Sequence, residues 1–364
     1  MPKQKNTIAK AERKQSALGI GVFLMVIALL WFASFKLIGG SGGRTSEDKG
    51  IFNFGTIEEE EIKPVFGNSK DYPVFIVFDN HPDSQAYLSG LQEALVVYEY
   101  LAEGGATRFA GLYNGAPSGD RIGPIRSARP YIVEIASGWS GFFWHAGGSP
   151  EALELVKKTD AIDLNEISGL GIRYFWRDNE VPRPHNLFTS SDLIGLGIED
   201  FELNALPSDK ILWQWDQDNS QGSIKSAEER GQTIDHIYVD FSEGIDFDAS
   251  YEYDPIKNHY KRFMGGLEHI DYATGEQITT SNIIIQKVPQ EGYYASGLGR
   301  IKLDMIGTGK MILFQNGKVI KGTWEKEFRD SQTIWLNEIS EPITLERGQT
   351  WVEVVPGARL VTYE

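Results

Sequence analysis

Val74-Phe75-Ile76-Val77-Phe78 is a continuous apolar run, and the polar residues Asp79-Asn80-His81-Pro82 follow it directly. A short uninterrupted run of this kind is typical of a strand that is buried on both faces, as in a parallel sheet. Downstream of it, strand-like and helix-like segments alternate. The further predicted strands are 108–113, 141–145 and 172–176, and the predicted helices are 90–102 (after a capping serine at 89), 130–137 and 151–158. This order predicts an N-terminal α/β domain with a largely parallel sheet.

The second half of the chain has a different pattern, rich in β-branched and aromatic residues. Its predicted strands are 234–241, 251–253, 260–264, 282–288, 301–306, 311–315 and 318–324. Asn316-Gly317 stands between two of these runs and is a strong signal for a two-residue hairpin. We therefore expect a C-terminal domain that is mostly antiparallel β, and an α+β protein overall.

Composition divides the chain into five parts. The expected parts are a basic cytoplasmic tail with a transmembrane signal-anchor helix (1–38), a flexible tether (39–70), the N-terminal domain (71–216), a polar linker (217–231) and the C-terminal domain (232–364). The tether is glycine-rich and then acidic, and the linker has few residues that could form a core.

The expected membrane anchor is an uncharged apolar run at residues 17–35. As a helix it would be roughly 28 Å long, about one hydrocarbon core. Five basic residues precede it and only two follow before residue 45, which predicts a cytoplasmic N-terminus and an extracytoplasmic body. A cleaved signal peptide is the alternative, although the run is longer than the usual apolar region of about 7–15 residues.

Charge and cysteine content exclude several classes of function. The chain has no cysteine, which excludes disulfides, thiolate metal sites, a cysteine nucleophile and a lipid-modified N-terminal cysteine. The whole chain carries a net charge of −16. Six basic residues and one acidic residue lie within 1–40, so the rest of the chain carries a net charge of −21. So acidic a body disfavours nucleic acid as a partner, because nucleic-acid binding depends on neutralising phosphates.

Polar motifs follow each predicted strand of the N-terminal domain. They are Asp79-Asn80-His81, the segment 121–129, His145-Ala146-Gly147-Gly148-Ser149 and Arg177-Asp178. If the strands are parallel, all four motifs lie at the carboxyl edge of one sheet, where open α/β folds bind their ligands. We therefore expect the functional site at this edge.

An anion-binding site is the first interpretation of these motifs. Its expected ligand-binding residues are Arg126, Arg129, Arg108, Ser127, Gly147, Gly148, Ser149, Arg177 and Asn186. Guanidinium groups and a glycine-rich loop before a helix suit carboxylate or phosphate oxygens. In the alternative interpretation the arginines pair with Asp79, Glu99 or Glu103 and hold the loops in place.

Acid–base catalysis is the second interpretation, with His145 or His185 as the acid or base and Asp79 orienting it. Glu99 and Glu103 are expected on one face of the predicted helix, where they would support the site with Asn80 and His81. A serine triad built on Ser127 or Ser149 lacks the G-x-S-x-G motif. The histidines of the C-terminal half, His269 among them, are expected on the surface or in hairpins.

No cofactor is expected from the sequence. Asp79, His81, His145 and His185 could together bind a divalent metal through nitrogen and oxygen, but no spacing such as HExxH supports this alternative.

In this order the motifs resemble domain-of-unknown-function family 3048, the YerB-like bacterial envelope proteins. The resemblance rests on Asp79-Asn80-His81-Pro82, Glu103-Gly104-Gly105, residues 123–130, His145-Ala146-Gly147-Gly148-Ser149 and Pro184-His185-Asn186, and in the second half on Gly348-Gln349-Thr350-Trp351. It covers about 71–356. It implies an exported bacterial protein, often a lipoprotein, with a two-domain body and no established reaction.

Together these observations predict a membrane-anchored envelope protein that binds an anionic cell-wall or envelope component as an accessory to cell-wall machinery. Its partner would be that anionic ligand or a cell-wall protein. The alternatives are a hydrolase or transferase acting on envelope glycan or peptide, and a scaffold whose motifs are only structural.

Overall fold

The computed structural model describes residues 72–168, 171–201, 233–241, 245–293 and 300–364. The predicted membrane helix, the tether and the linker 217–231 lie outside these residues. Within the described part of the chain, no helix is long and apolar enough to cross a membrane.

Strands dominate the described residues. The strands are β1 Pro73–Phe78, β2 Val96–Leu101, β3 Thr107–Asn114, β4 Phe142–His145, β5 Ile162–Asn165, β6 Trp176–Arg177, β7 Leu187–Phe188, β8 His236–Val239, β9 Ala249–Asp254, β10 His259–Met264, β11 Leu267–Glu268, β12 Ile270–Asp271, β13 Glu276–Gln277, β14 Thr279–Thr280, β15 Asn282–Val288, β16 Gln290–Tyr293, β17 Ile301–Leu303, β18 Gly307–Gln315, β19 Lys318–Lys326, β20 Ile334–Asn337, β21 Thr350–Pro356 and β22 Val361–Tyr363. The helices are α1 Pro82–Gln85, α2 Pro130–Ser137, α3 Pro150–Val156 and α4 Ser191–Phe201. Short 3₁₀ turns cover Leu91–Glu93, Glu103–Gly105, Gly171–Tyr174 and Ile245–Phe247.

One ten-stranded sheet contains strands from both halves of the chain, in the order β20-β19-β18-β15-β21-β2-β3-β1-β4-β5. The strands β1, β4 and β5 are parallel, as are β2, β21 and β15, whereas β3 runs antiparallel to both of its neighbours. The expected parallel character of the N-terminal part is thus confirmed only in part, since the sheet is mixed. The described residues are mostly β, so the expected α+β class is confirmed only in part.

The predicted helix 90–102 is wrong. Its second half forms β2, in which every residue is buried, and Leu91–Glu93 forms only a 3₁₀ turn. The run Val96-Val97-Tyr98 is β-branched and aromatic, which suits a strand that is covered on both faces. In the sheet it lies between β3 and β21, and β21 is contributed by the far end of the chain.

The predicted strand 172–176 is also wrong over most of its length. Residues Gly171–Tyr174 form a 3₁₀ turn, and β5 takes the edge position of the sheet beside β4. Predicted helices 130–137 and 151–158 are confirmed as α2 and α3, each with a proline in its first turn.

The antiparallel character of the C-terminal half is confirmed by β18–β20 and by a second, six-stranded sheet built around β8–β10. The predicted hairpin is confirmed too: Gln315 pairs with Lys318, and both Asn316 and Gly317 have positive φ, as a type I′ turn requires. The second sheet packs on one face of the large sheet and α2 and α3 pack on the other, so the large sheet is the central layer.

Candidate functional site

The candidate site lies at the edge of the large sheet where β1, β2 and β4 end. The segment 121–129, called the arginine segment below, does not follow a parallel strand, because β3 runs the other way and ends beside Pro73, at the opposite edge. The chain therefore returns along β1: the backbone N–H of Arg126 donates to the carbonyl of Val77, and that of Asp79 donates to Pro124. This return path brings the arginine segment to the expected edge.

Asp79 is the centre of the site and is buried. Its Oδ2 accepts a hydrogen bond from Nδ1 of His185 at 2.6 Å and lies 2.8 Å from Nε of Arg126. The backbone N–H of His81 donates to the other carboxylate oxygen at 3.1 Å. One carboxylate thus joins the strand end, the arginine segment and the segment before β7.

His185 is buried but has one ring nitrogen unused, since its Nε2 makes no hydrogen bond to any described residue. The ring stacks on that of His81, with 4.6 Å between the ring centroids. His81 is exposed, and its Nδ1 accepts from the backbone N–H of Asp83 as the cap of α1. The structure therefore places two histidines and two carboxylates together where the first strand ends.

His145 occupies a different environment. Its ring is fully buried, Nδ1 lies 2.7 Å from the carbonyl oxygen of Gly147 and Nε2 lies 2.7 Å from Asp163. Both ring nitrogens face acceptor oxygens, so the ring holds β4 to its following loop and to β5. This geometry favours a structural contribution over the predicted acid–base role, which stays a prediction.

The glycine-rich loop after β4 is shaped by hydrogen bonds within the protein. Gly147 has a φ of +64°, and its N–H donates to the side chain of Asn165 at 2.7 Å. Gly148 lies beside Ala128 in a short parallel bridge. Ser149 caps α3 by accepting from the N–H of Ala152 at 3.2 Å. In this loop, the N–H of Gly147 and the hydroxyl of Ser149 thus already have partners.

Arg108 and Arg129 share one carboxylate, that of Glu103. Nε of Arg129 donates to one oxygen of Glu103, and Arg108 donates to the other at 3.2 Å and to the carbonyl of Ser127 at 2.9 Å. Burial alone would raise the pKa of Glu103, but the hydrogen bond from Arg129 and the charge of Arg108 bring the pKa below its ordinary value. These contacts match the alternative interpretation, in which the arginines hold loops.

Glu99 is not on a common helical face with Glu103, since it lies in β2 and is fully buried. Thr107 donates to one of its oxygens at 2.6 Å and Arg262 donates to the other. The amide of Asn80 donates to Thr107 at 2.6 Å, which links this network to the candidate site. The expected support from Glu99 and Asn80 thus depends on an arginine of the C-terminal half.

Arg262 is the centre of a buried polar cluster that the sequence analysis missed. Its guanidinium is fully buried and donates to Glu99, to the hydroxyl of Tyr251 and to Nδ1 of His269. Burial and the charge of Arg262 lower the pKa of His269 well below its ordinary value, so this histidine is neutral. His269 is also buried, so of the two expected positions, on the surface or in a hairpin, the surface position is wrong. The alternating pattern of β10 gave the only sequence signal, since it places Arg262 on the same face as Tyr260 and Met264.

Arg177 and Asn186 stabilise the loop between β6 and β7. Arg177 donates to the side chain of Asn186 at 3.0 Å and to Glu166 at 2.8 Å, and the buried Asn186 donates to the carbonyl of Asp178. Arg121, at the start of the arginine segment, pairs with Asp178 at 2.5 Å and lies 3.9 Å from the ring centroid of Phe188. These contacts fix the segment that carries His185.

Comparison with known proteins covers most of the chain. Residues 63–204 match the family described as "Protein of unknown function (DUF3048) N-terminal domain", and residues 237–352 match the corresponding C-terminal domain. The Bacillus subtilis (strain 168) protein named "Putative lipoprotein YerB" is 30% identical over 293 residues, which are 78% of this chain and 81% of that protein. The chain belongs to the DUF3048 family.

The solved structure of YerB from Bacillus subtilis also resembles this DUF3048 protein. It superposes with a TM-score of 0.67 at 27% identity and covers 81% of this chain and 95% of the YerB chain. The resemblance drawn from the sequence motifs is confirmed.

Proposed function

We infer that this DUF3048 protein is a membrane-anchored envelope protein that binds an anionic cell-wall or envelope component, as an accessory to cell-wall machinery. Two observations support the location: the apolar run at residues 17–35, and the similarity to a protein whose name calls it a lipoprotein. The group that binds the anion is the guanidinium of Arg126, which lies beside Asp79 and His185.

This proposal rests on the terminal nitrogens of Arg126, which have hydrogen-bonding capacity to spare. Its Nε lies against Asp79, but its two terminal nitrogens make only long contacts, 3.4 Å to the carbonyl of Pro184 and 3.5 Å to Nδ1 of His185. The first contact is at most a weak hydrogen bond, and the second is not one, because Nδ1 of His185 carries the proton that it donates to Asp79. Its side chain is 21% exposed, against 14% for Arg108 and 11% for Arg129. The fork of two terminal amines can therefore bind a carboxylate or phosphate from outside.

Binding of a purified anionic wall polymer, measured by calorimetry, tests the proposal. The variant Arg126→Gln removes the fork, and we expect at least about a tenfold loss of affinity, as is usual for a hydrogen bond between charged groups. Arg347→Gln is the control, since it makes the same change at an exposed arginine just before β21, at the opposite end of the parallel strands. Equal affinity of wild type and Arg126→Gln would contradict the proposal.

The hydrogen bond between Asp79 and His185 favours a second function, hydrolysis or group transfer on envelope glycan or peptide. A carboxylate that holds Nδ1 and leaves Nε2 unbonded is the arrangement of a general base. His185→Gln would then abolish turnover of wall fragments while binding through Arg126 persists. Turnover by this variant at the wild-type rate would exclude His185 as the base.

A further inference from the structure

We propose that His81, Asp83 and His185 form a binding site for a divalent transition-metal ion of the Zn²⁺ type. One donor atom from each residue lies within 4.8 Å of the donor atoms of the other two. Nδ1 of His81 and Oδ2 of Asp83 are 3.6 Å apart. Two ligands of a tetrahedral zinc ion, each about 2.0–2.2 Å from the metal, are separated by roughly 3.4 Å. The donors therefore need only small movements to reach a common ion.

Hydrogen bonds determine which ring nitrogen of each histidine is unprotonated. Nδ1 of His185 is the donor to Asp79, because a carboxylate can only accept, so the lone pair of the neutral ring lies on Nε2. Nδ1 of His81 accepts from the backbone N–H of Asp83 at 3.2 Å, so this nitrogen is unprotonated in the neutral ring, and a metal ion there would replace that N–H as the partner of its lone pair. Metal binding requires unprotonated imidazole nitrogens of this kind.

Asp79 fits the position of the outer partner of a metal ligand. Metal-binding histidines almost always donate their second ring N–H to a carboxylate, carbonyl or water, which fixes the tautomer and strengthens the ligand. Asp79 does this for His185 and is itself held by the N–H of His81. The positive charge of Arg126 contacts His185 at Nδ1, not at Nε2, and is balanced by Asp79.

The donor set determines the class of ion and the chemistry it permits. Two imidazoles and one carboxylate suit zinc and its neighbours, whereas Ca²⁺ and Mg²⁺ prefer oxygen ligands alone. Three protein ligands leave a tetrahedral ion one position for water or for an oxygen of a bound ligand. A metal here would join α1 to the segment before β7, two parts of the chain that are far apart in sequence.

Calorimetric titration of the full chain with ZnCl₂ tests the proposal, using protein purified without a polyhistidine tag and stripped with a chelator. We expect one saturable site per chain. His81→Gln and Asp83→Asn change exposed side chains, so they should leave the fold intact, and each should weaken binding more than about tenfold. His259→Gln is the matched control, because His259 also lies near a carboxylate, 4.0 Å from Asp254, and should bind as wild type does.

Absence of a saturable site in the wild type, or unchanged affinity in His81→Gln, would overturn the proposal. His185→Gln should abolish the site, with its melting temperature and circular dichroism reporting whether it folds. The zinc titration is independent of the polymer-binding experiment, since Arg126→Gln retains all three donors. If the wild type binds zinc but not the polymer, the anion-binding proposal has failed. If it binds the polymer but not zinc, the metal-site proposal has failed.

Discussion

Glu353→Gln is the substitution whose effect follows most directly from the buried cluster. Glu353 in β21 pairs in register with Glu99 in β2, and both side chains are fully buried. The cluster holds two carboxyl groups and one arginine, Arg262. Burial raises the pKa of Glu353 well above its usual value, and the neighbouring Glu99 carboxyl raises it further. Burial also raises the pKa of Glu99, but Glu99 is paired with Arg262, so we expect Glu353 to be the group that keeps its proton in the folded protein.

The pH dependence follows from this proton. A carboxyl whose pKa is raised by folding stabilises the fold fully below the unfolded pKa, near 4.5, and this stabilisation is lost as the pH rises toward the folded pKa. The loss approaches about 1.4 kcal/mol per pH unit while the pH lies between the unfolded and the folded pKa. The Glu353→Gln variant would keep the shape and the neutral charge of the side chain, with no proton to lose.

Urea unfolding followed by tryptophan fluorescence at pH 5, 6 and 7 measures the difference. We expect the free energy of unfolding of Glu353→Gln, relative to that of the wild type, to increase by up to about 1.4 kcal/mol for each pH unit. Glu252→Gln, the same change at an exposed position beside Tyr251 in β9, serves as the control and should follow the wild type. Parallel pH profiles of wild type and Glu353→Gln would refute the assignment, since they would show that Glu353 ionises in the folded protein as it does in the unfolded one.

Three further substitutions test local features of the fold. Glu103→Gln should lower the free energy of unfolding at pH 7 by about 1.5–3 kcal/mol, because it removes the charge shared by Arg108 and Arg129. The pKa of Glu103 is lowered by folding, so this difference should shrink as the pH falls below about 4.5 toward the folded pKa, in urea unfolding at pH 7, 4 and 3. Ser149→Ala removes the cap of α3 and should cost about 1 kcal/mol, seen as a lower melting temperature. Gly317→Ala should cost at least about 1–2 kcal/mol in the same assay, because φ is +67° and the added Cβ would lie 2.6 Å from Tyr253; an unchanged melting temperature would contradict the turn geometry.

Features fixed by neighbouring residues were predictable from the sequence. The hairpin at Asn316-Gly317 and the helices that begin at Pro130 and Pro150 depend on local backbone preferences, and all three are confirmed. The run from residue 91 to 102 was not predictable in this way, since its apolar positions fit a helical spacing as well as a buried strand. The strand conformation of β2 depends on its two neighbours in the sheet, β3 and β21. β3 follows β2 directly in the sequence, whereas β21 lies near the end of the chain.

The candidate site shows the same division between local and long-range determinants. The motifs at Asp79 and in the arginine segment do meet at one edge, but the arginines arrive there on a return loop because β3 is antiparallel. Which arginine is paired and which keeps unused donors depends on Glu103, whose position follows from β2 being a strand. The sequence therefore indicated where polar residues gather, while their individual partners required the structure.

Support for the site extends into the C-terminal half of the chain. Asn80, next to Asp79, donates to Thr107, Thr107 donates to Glu99, and Glu99 is held by Arg262 of β10. Removing one partner of a buried ion pair typically costs about 3–5 kcal/mol, because the other charge is left without compensation. Asn80, the second residue after β1, is thus connected to Arg262 in β10, and β21 lies on the other side of Glu99 in the sheet. Strands of both family-matched segments form one sheet, and the C-terminal segment therefore belongs to the structure that positions the residues after β1.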